Sequence, residues 1–208
     1  MRLFLIRHGE AVGNREGLIQ GWIDLPLTAR GYSQARRTGC SLLPTAVKIV
    51  YTSPLCRAWE TARVIGEVVG AAVVACDDLR EINCGLAEGL PWSEFAARWP
   101  AIASAFAAND LECPWPGGES TKQMVARVEQ AVAGILDRHR PASDIVAIVS
   151  HGGPLAWIIP WLRSERYEVW PPYNLDPCSI TEFEIQPSGT ATLLRLNDTR
   201  HLVECVSD

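Results

Sequence analysis

The sequence predicts an α/β fold, a three-layer α/β/α sandwich around a mainly parallel sheet, and three observations predict it. Short runs rich in Val, Ile and Leu alternate along the chain with helical patterns, as layered α/β folds require. The runs at 3–6, 48–52 and 145–149 are apolar almost throughout, as strands covered on both faces are. The composition is globular, 48% hydrophobic and 21% charged over 208 residues; a chain of that length can bury roughly 70% of the surface it exposes when unfolded.

In chain order, Leu3–Ile6 is the first strand and runs straight into Arg7-His8-Gly9. A helical pattern covers about Thr28 to Leu43. Lys48–Thr52 is the next strand, and Ser53-Pro54 reads as the start of a helix, with Ser as N-cap and Pro in the first helical position. Ala72–Ala75 is a third strand. The segment from Asn83 to Trp115 carries Trp92, Trp99 and Trp115 on two short helical patterns (92–98 and 100–108), with little strand character. It reads as an insertion lying over the sheet. A further helix follows Gly117-Gly118-Glu119-Ser120 and continues to about His139, where Pro141 stops it. Ile145–Val149, Ile180–Ile185 and Thr192–Leu196 complete the strands. With no repeats, low-complexity tract or linker, residues 1–208 are expected to form a single domain.

Composition excludes several classes. Lys and Arg total 19 against 24 Asp and Glu, a net charge of -5, which argues against a nucleic-acid binder driven by overall positive charge. The seven cysteines (40, 56, 76, 84, 113, 178 and 205) are odd in number, with no C-x-x-C pair. They read as free, mostly buried thiols in a reducing compartment. Met1–Arg7 is too short for a signal peptide. The longest apolar run, Gly152–Leu162, has eleven residues with Pro154 and Pro160 inside, too few to span a bilayer. No membrane association is expected, and a cytoplasmic location is. A homodimer is the default assembly only because it is the commonest one.

The chemistry sits where three strands end. Leu3–Ile6 leads to Arg7 and His8, Ile145–Val149 to Ser150-His151-Gly152-Gly153, and Lys48–Thr52 to Ser53-Pro54, with Arg57 one turn into the next helix. In open α/β sheets, ligands bind beyond the carboxyl ends of the strands. A lone His-Gly after a strand is more often a turn than a catalytic group; two such turns with an Arg on a third reverse that reading. Paired guanidiniums, paired imidazoles and helix N-termini suit a compact dianion, most naturally phosphate. No acidic cluster is placed to hold a metal, so stabilising charge must come from side chains. No metal site and no cofactor are implied. His139 at a helix end needs only the dipole and solvent, His201 reads as structural, and Trp22, Trp157, Trp161 and Trp170 read as packing residues.

At these residues the sequence resembles the histidine phosphatase superfamily, which includes the cofactor-dependent phosphoglycerate mutases. The resemblance spans nearly the whole chain. It covers Arg7-His8-Gly9-Glu10, Asn14, Gln20-Gly21, Asp24–Thr28, Thr52–Ala58, Leu79-Arg80-Glu81, Gly85, Glu88-Gly89, Pro116–Ser120, Ser150-His151-Gly152 and Asn197–Leu202. It implies a phosphoglycerate mutase-like fold and a phosphomonoesterase working through phosphohistidine without metal. Carried over residue by residue, it makes His8 the nucleophile. Arg7, Arg57 and His151 bind the phosphoryl oxygens, assisted by Asn14 and the Gly152 N–H. Gln20 and Gly21 line the substrate site, and Glu81 is the general acid and then the base for water. Many relatives have Ser or Thr where this chain has Ala11. The lost hydroxyl is expected to weaken phosphate binding by about 1 kcal/mol.

Two alternatives follow from the same resemblance. A mutase must keep its phosphohistidine dry. The compact Ile82–Gly89 segment after Glu81, and the six residues after Leu202, lead us to expect that water reaches His8 and hydrolysis dominates. A catalytically dead phospho-ligand or protein-binding module is disfavoured because every charged group of the core set is present. The partner is then a small phosphorylated metabolite. Few cations lie in or near the 83–115 segment, only Arg98 and then Lys122, which disfavours multiply phosphorylated sugars.

Overall fold

The computed structural model describes residues 1–140, 144–165, 168–171 and 173–203. Its strands are β1 (Arg2–Arg7), β2 (Ile49–Thr52), β3 (Ala72–Ala75), β4 (Ile145–Ser150), β5 (Ile180–Ile185) and β6 (Ala191–Asp198). Its α-helices are α1 (Val12–Glu16), α2 (Ala29–Leu42), α3 (Cys56–Val69), α4 (Trp92–Arg98), α5 (Pro100–Ala107), α6 (Thr121–His139) and α7 (Gly152–Leu162). The strands form one sheet in the order β3-β2-β4-β1-β5-β6. Pairs β2–β3, β2–β4 and β1–β4 are parallel, while β5 and β6 add an antiparallel margin. Each predicted strand is present. The sheet is mixed and mostly parallel, as expected.

The three layers come from strand alternation. Leu3 and Leu5 of β1, with Val146 and Ile148 of β4, face one way and pack against α6, α7 and Phe95 of α4. Phe4, Ile6, Ala147 and Val149 face the other way, against Ala58, Ala62 and Ile65 of α3 and Leu42 of α2. Thr28 caps α2 by accepting from the Gly31 N–H, and Ser120 caps α6 in a capping box with Gln123.

One helix start moves. α3 begins at Cys56 rather than at Pro54, and Ser53 is not its cap. The Ser53 hydroxyl accepts from the Leu55 N–H at 3.2 Å and bonds the His151 ring. The Cys56 N–H is capped from a distance by the Asp24 carboxylate at 2.6 Å. The Gly152–Leu162 run is a helix: Pro154 falls in its first turn, where no donor is needed, and Pro160 lies inside it, near its C-terminal end. Pro141 lies outside the described residues.

The 83–115 segment contains α4 and α5 and no sheet strand among the described residues. Phe95 is fully buried, and Trp99, Ile102, Phe106 and Trp115 pack onto the same core as β1 and β4.

Some minor expectations need correction. Of six described cysteines, all free, only Cys84 and Cys178 are buried; Cys205 lies outside the described residues. His139 does more than meet a helix dipole: its Nε2 bonds Tyr51 Oη at 2.8 Å and its Nδ1 bonds Asp144 at 2.7 Å. Trp157 packs, but Trp22 and Trp170 are exposed at 38% and 42%. His201 is structural, bonding Thr38 Oγ1 and the Cys178 carbonyl. Among the described residues no helix is long and apolar enough to cross a membrane.

Candidate active site

The parallel register sets the ends of the central strands side by side, with Arg7 opposite Ser150 and Thr52 opposite Val149. The residues that follow these ends therefore converge. His8 leaves β1 with its N–H donating to the Ser150 carbonyl at 2.9 Å. Its ring centroid lies 5.1 Å from that of His151, edge to face. Both imidazoles are buried, as is Arg57, while Arg7 and Glu81 are partly covered.

Each cation is held from behind by backbone carbonyls. Arg57 donates from Nη2 to Gly21 at 2.7 Å and from Nη1 to Ile23 at 3.0 Å. Arg7 donates from Nη1 to the Leu175 carbonyl. The Nε groups of both are buried without a partner. Burial pulls both guanidiniums below the ordinary arginine range, and the negative charge of Glu81 opposes this in both cases. They remain cationic. The unfilled Nε donors and positive charge describe a cradle for an anion.

The histidines are tuned in one direction. Burial first, then the charges of Arg57 and Arg7, hold His8 well below the ordinary imidazole range. Burial and Arg57 do the same to His151. The His8 Nδ1 lies 2.7 Å from the Gly9 carbonyl. A carbonyl only accepts, so Nδ1 carries the proton and the lone pair is left on Nε2. His151 bonds Ser53 Oγ through Nε2 at 2.8 Å, and its Nδ1 is buried without a partner.

Glu81 projects from the loop after β3. Its Oε2 accepts from the Gly153 N–H at 3.2 Å in the first turn of α7, and its Oε1 from the Ile82 N–H at 2.9 Å. A Cβ on Gly153 would strike this carboxylate, and one on Gly152 would sit 3.7 Å from the Arg7 guanidinium. The lack of a side chain at Gly153 is what lets the Glu81 carboxylate reach the helix start, whereas a Cβ on Gly152 would make only ordinary contact with Arg7. Asn14 Oδ1 is taken by the Ala11 N–H at 2.9 Å, leaving its amide to donate. Gln20 Oε1 is buried and unpartnered. Gly21 acts through its carbonyl, with φ at +49°.

The structure brings His8, His151, Arg7, Arg57 and Glu81 together, with Gly152 beside Arg7 and the Gly21 carbonyl on Arg57; Asn14 and Gln20 show no direct bond to any of these groups. Others carry no local signal: Ser53, which reads as a cap, Trp22, whose Nε1 donates to the Glu81 carbonyl at 2.6 Å, and the Glu119–Arg127 pair. Among the described residues no group of three or more His, Cys, Asp or Glu is placed to hold a metal ion.

A family model for the histidine phosphatase superfamily (branch 1) matches residues 3–199. The chain belongs to the histidine phosphatase superfamily. A Hydrogenobacter thermophilus protein bearing a phosphoserine phosphatase name is 32% identical, over 96% of this chain and 97% of its own. The metal-independent phosphoserine phosphatase of Arabidopsis thaliana is 39% identical over 74% of this chain and 65% of its own length. Among solved structures, Bacillus stearothermophilus YhfR superposes with a TM-score of 0.89 at 30% identity, over 97% of this chain and 99% of that one. Other relatives are named as phosphoglycerate mutases or mutase-like. The chain is a phosphatase of this superfamily, a phosphoric monoester hydrolase.

Proposed function

We propose that this chain hydrolyses a small phosphorylated metabolite in two phosphoryl transfers, without a metal ion. His8 Nε2 attacks phosphorus and the ester P–O bond breaks. Glu81 gives its proton to the leaving oxygen, and an alcohol departs. Water then attacks the phosphohistidine, Glu81 takes the proton back, and inorganic phosphate leaves as the His8 nitrogen is released. Arg7, Arg57 and His151, with the Asn14 amide and the Gly152 N–H, bear the charge of the equatorial oxygens. One observation carries this reading: the His8 Nδ1–H is committed to the Gly9 carbonyl, which leaves Nε2 as an unprotonated nucleophile beside two arginines.

The organic part of the substrate is assigned to the side covered by α4 and α5. There Trp92, Phe106, Leu111, Trp115 and Trp170 line a cleft of about 180 Å³. Thr121, also in its wall, lies one helical turn before Met124, whose sulfur is 3.4 Å from where a Cβ on Gly153 would be. The nearby cations are engaged, Arg98 with Glu94 and Lys122 with Glu112. A single phosphoryl group on a small or partly apolar alcohol fits this wall better than a bisphosphate. The phosphoserine named for the relatives is the first candidate. The free thiols fit a reducing, cytoplasmic setting.

The test is a panel of phosphomonoesters (phosphoserine, 3-phosphoglycerate, sugar monophosphates and bisphosphates, aryl phosphates) assayed for released phosphate with excess EDTA. We expect turnover of monoesters that EDTA leaves intact and His8→Ala abolishes. Loss under EDTA restored by Mg²⁺ contradicts the reading. So does rapid isomerisation of 3-phosphoglycerate, primed with bisphosphoglycerate, without net phosphate release.

A further inference from the structure

We infer that Arg127 and Glu119 are positioning residues for catalysis, a clamp that holds the backbone of the Glu81 loop and thereby aims its carboxyl group at the leaving oxygen. This rests on the acid role proposed for Glu81. Arg127 lies on α6, two turns from its start, and its guanidinium is mostly covered. A guanidinium has five N–H donors, and here each has an acceptor. Nε donates to Glu119 Oε2 at 3.1 Å and Nη2 to Glu119 Oε1, a bidentate pair. Nη1 donates to the Asp78 and Arg80 carbonyls, both at 2.8 Å, and the second Nη2–H to the Glu81 carbonyl at 2.7 Å.

Glu119 completes the clamp from the far side of the acid. Its Oε1 accepts from the Asn83 N–H at 2.8 Å, and its own N–H donates to the Asn83 carbonyl at 3.0 Å. The backbone is therefore held before, at and after Glu81 by one ion pair. Neither residue is available as a phosphate ligand, since all five Arg127 donors are engaged and both Glu119 oxygens accept from Arg127, although the Arg127 charge is felt at His151. The planar fork of Arg is what serves three carbonyls and a carboxylate at once; a lysine ammonium in that place has three donors and no fork.

The discriminating readout is leaving-group dependence. Departure of an alkoxide needs the acid, while p-nitrophenolate leaves with little help. General acid catalysis is worth roughly 10²–10⁴-fold, so a misaimed Glu81 should cost phosphoserine turnover at least ~10-fold. The p-nitrophenol burst that reports phosphorylation of His8 should change less than about threefold. We would measure both in Arg127→Lys and Glu119→Gln, with Glu81→Gln as reference and thermal melts as a control for folding. Two variants are used so that one that fails to fold leaves the other to report. The inference predicts that a folded clamp variant loses alkyl-ester turnover selectively, mostly in kcat, with partial retention in Lys relative to Arg127→Ala. Equal losses on both substrates, or none, overturn it while leaving the hydrolase reading intact, provided Glu81→Gln is selective. A non-selective Glu81→Gln overturns the acid assignment and the clamp together.

Discussion

At the scale of single residues, the environment of His8 and His151 governs acid behaviour and, on the proposed mechanism, activity. Both imidazoles are buried beside Arg57 and Arg7 and held well below their ordinary range. In the unfolded chain they take up protons near pH 6.5. Below that pH the unfolded state binds more protons than the native one, so stability falls as the pH drops. We predict that the urea midpoint decreases from about pH 6.5 downward, and decreases less steeply in His151→Asn, as followed by fluorescence of the eight tryptophans. For the same reason the acid limb of kcat/KM should lie below the ordinary histidine value of about 6.5. An acid limb centred on that value would mean that the nucleophile is an ordinary imidazole. The motif residues were legible because each histidine or arginine follows a strand end. The preference of His8 for Nδ1–H was not, since it depends on a carbonyl distance that no sequence pattern reports.

At the scale of elements, local rules located most of the structure. Thr28 and Ser120 start their helices because their hydroxyls accept from N–H groups three residues on. Where a rule failed, a distant group had taken over: Ser53 turns to His151, and Asp24 caps α3 from 32 residues away. In the sequence α7 shows only as an apolar run, because it is buried on nearly all sides, which removes the helical periodicity, and its prolines look like breakers. α6 supplies the core face through Met124, Val128 and Val132 and, through Arg127, holds the backbone carbonyl of Glu81. Ser120→Ala should therefore destabilise the protein by about 1 kcal/mol, seen as a lower denaturation midpoint with unchanged slope. It should leave the burst rate on p-nitrophenyl phosphate unchanged. A loss of several kcal/mol would show that the cap also holds the neighbouring loop.

At the scale of the molecule, the parallel order β2-β4-β1 is what makes the site. Adjacent parallel strands deliver His8, His151 and the start of α3 to one end of the sheet, and the α4–α5 segment packs against the face that Glu81 overlooks. The layered fold and convergence of cations at strand ends could be read from the chain because they follow from apolar runs and what succeeds them. The Glu119–Arg127 clamp could not. It joins residues eight apart across a helix start to backbone carbonyls nearly fifty residues earlier. The fold thus places the buried imidazole of His8 beside two guanidiniums, and the proposed function makes it the acceptor of the phosphoryl group. The most direct measurement is to quench the enzyme in base during turnover of phosphoserine or p-nitrophenyl phosphate and map phosphorylated peptides by mass spectrometry. A base-stable, acid-labile phosphoryl group on the peptide bearing His8, absent in His8→Ala along with turnover, is the predicted result. Turnover that persists in His8→Ala, with no phosphohistidine in the wild type, would contradict it.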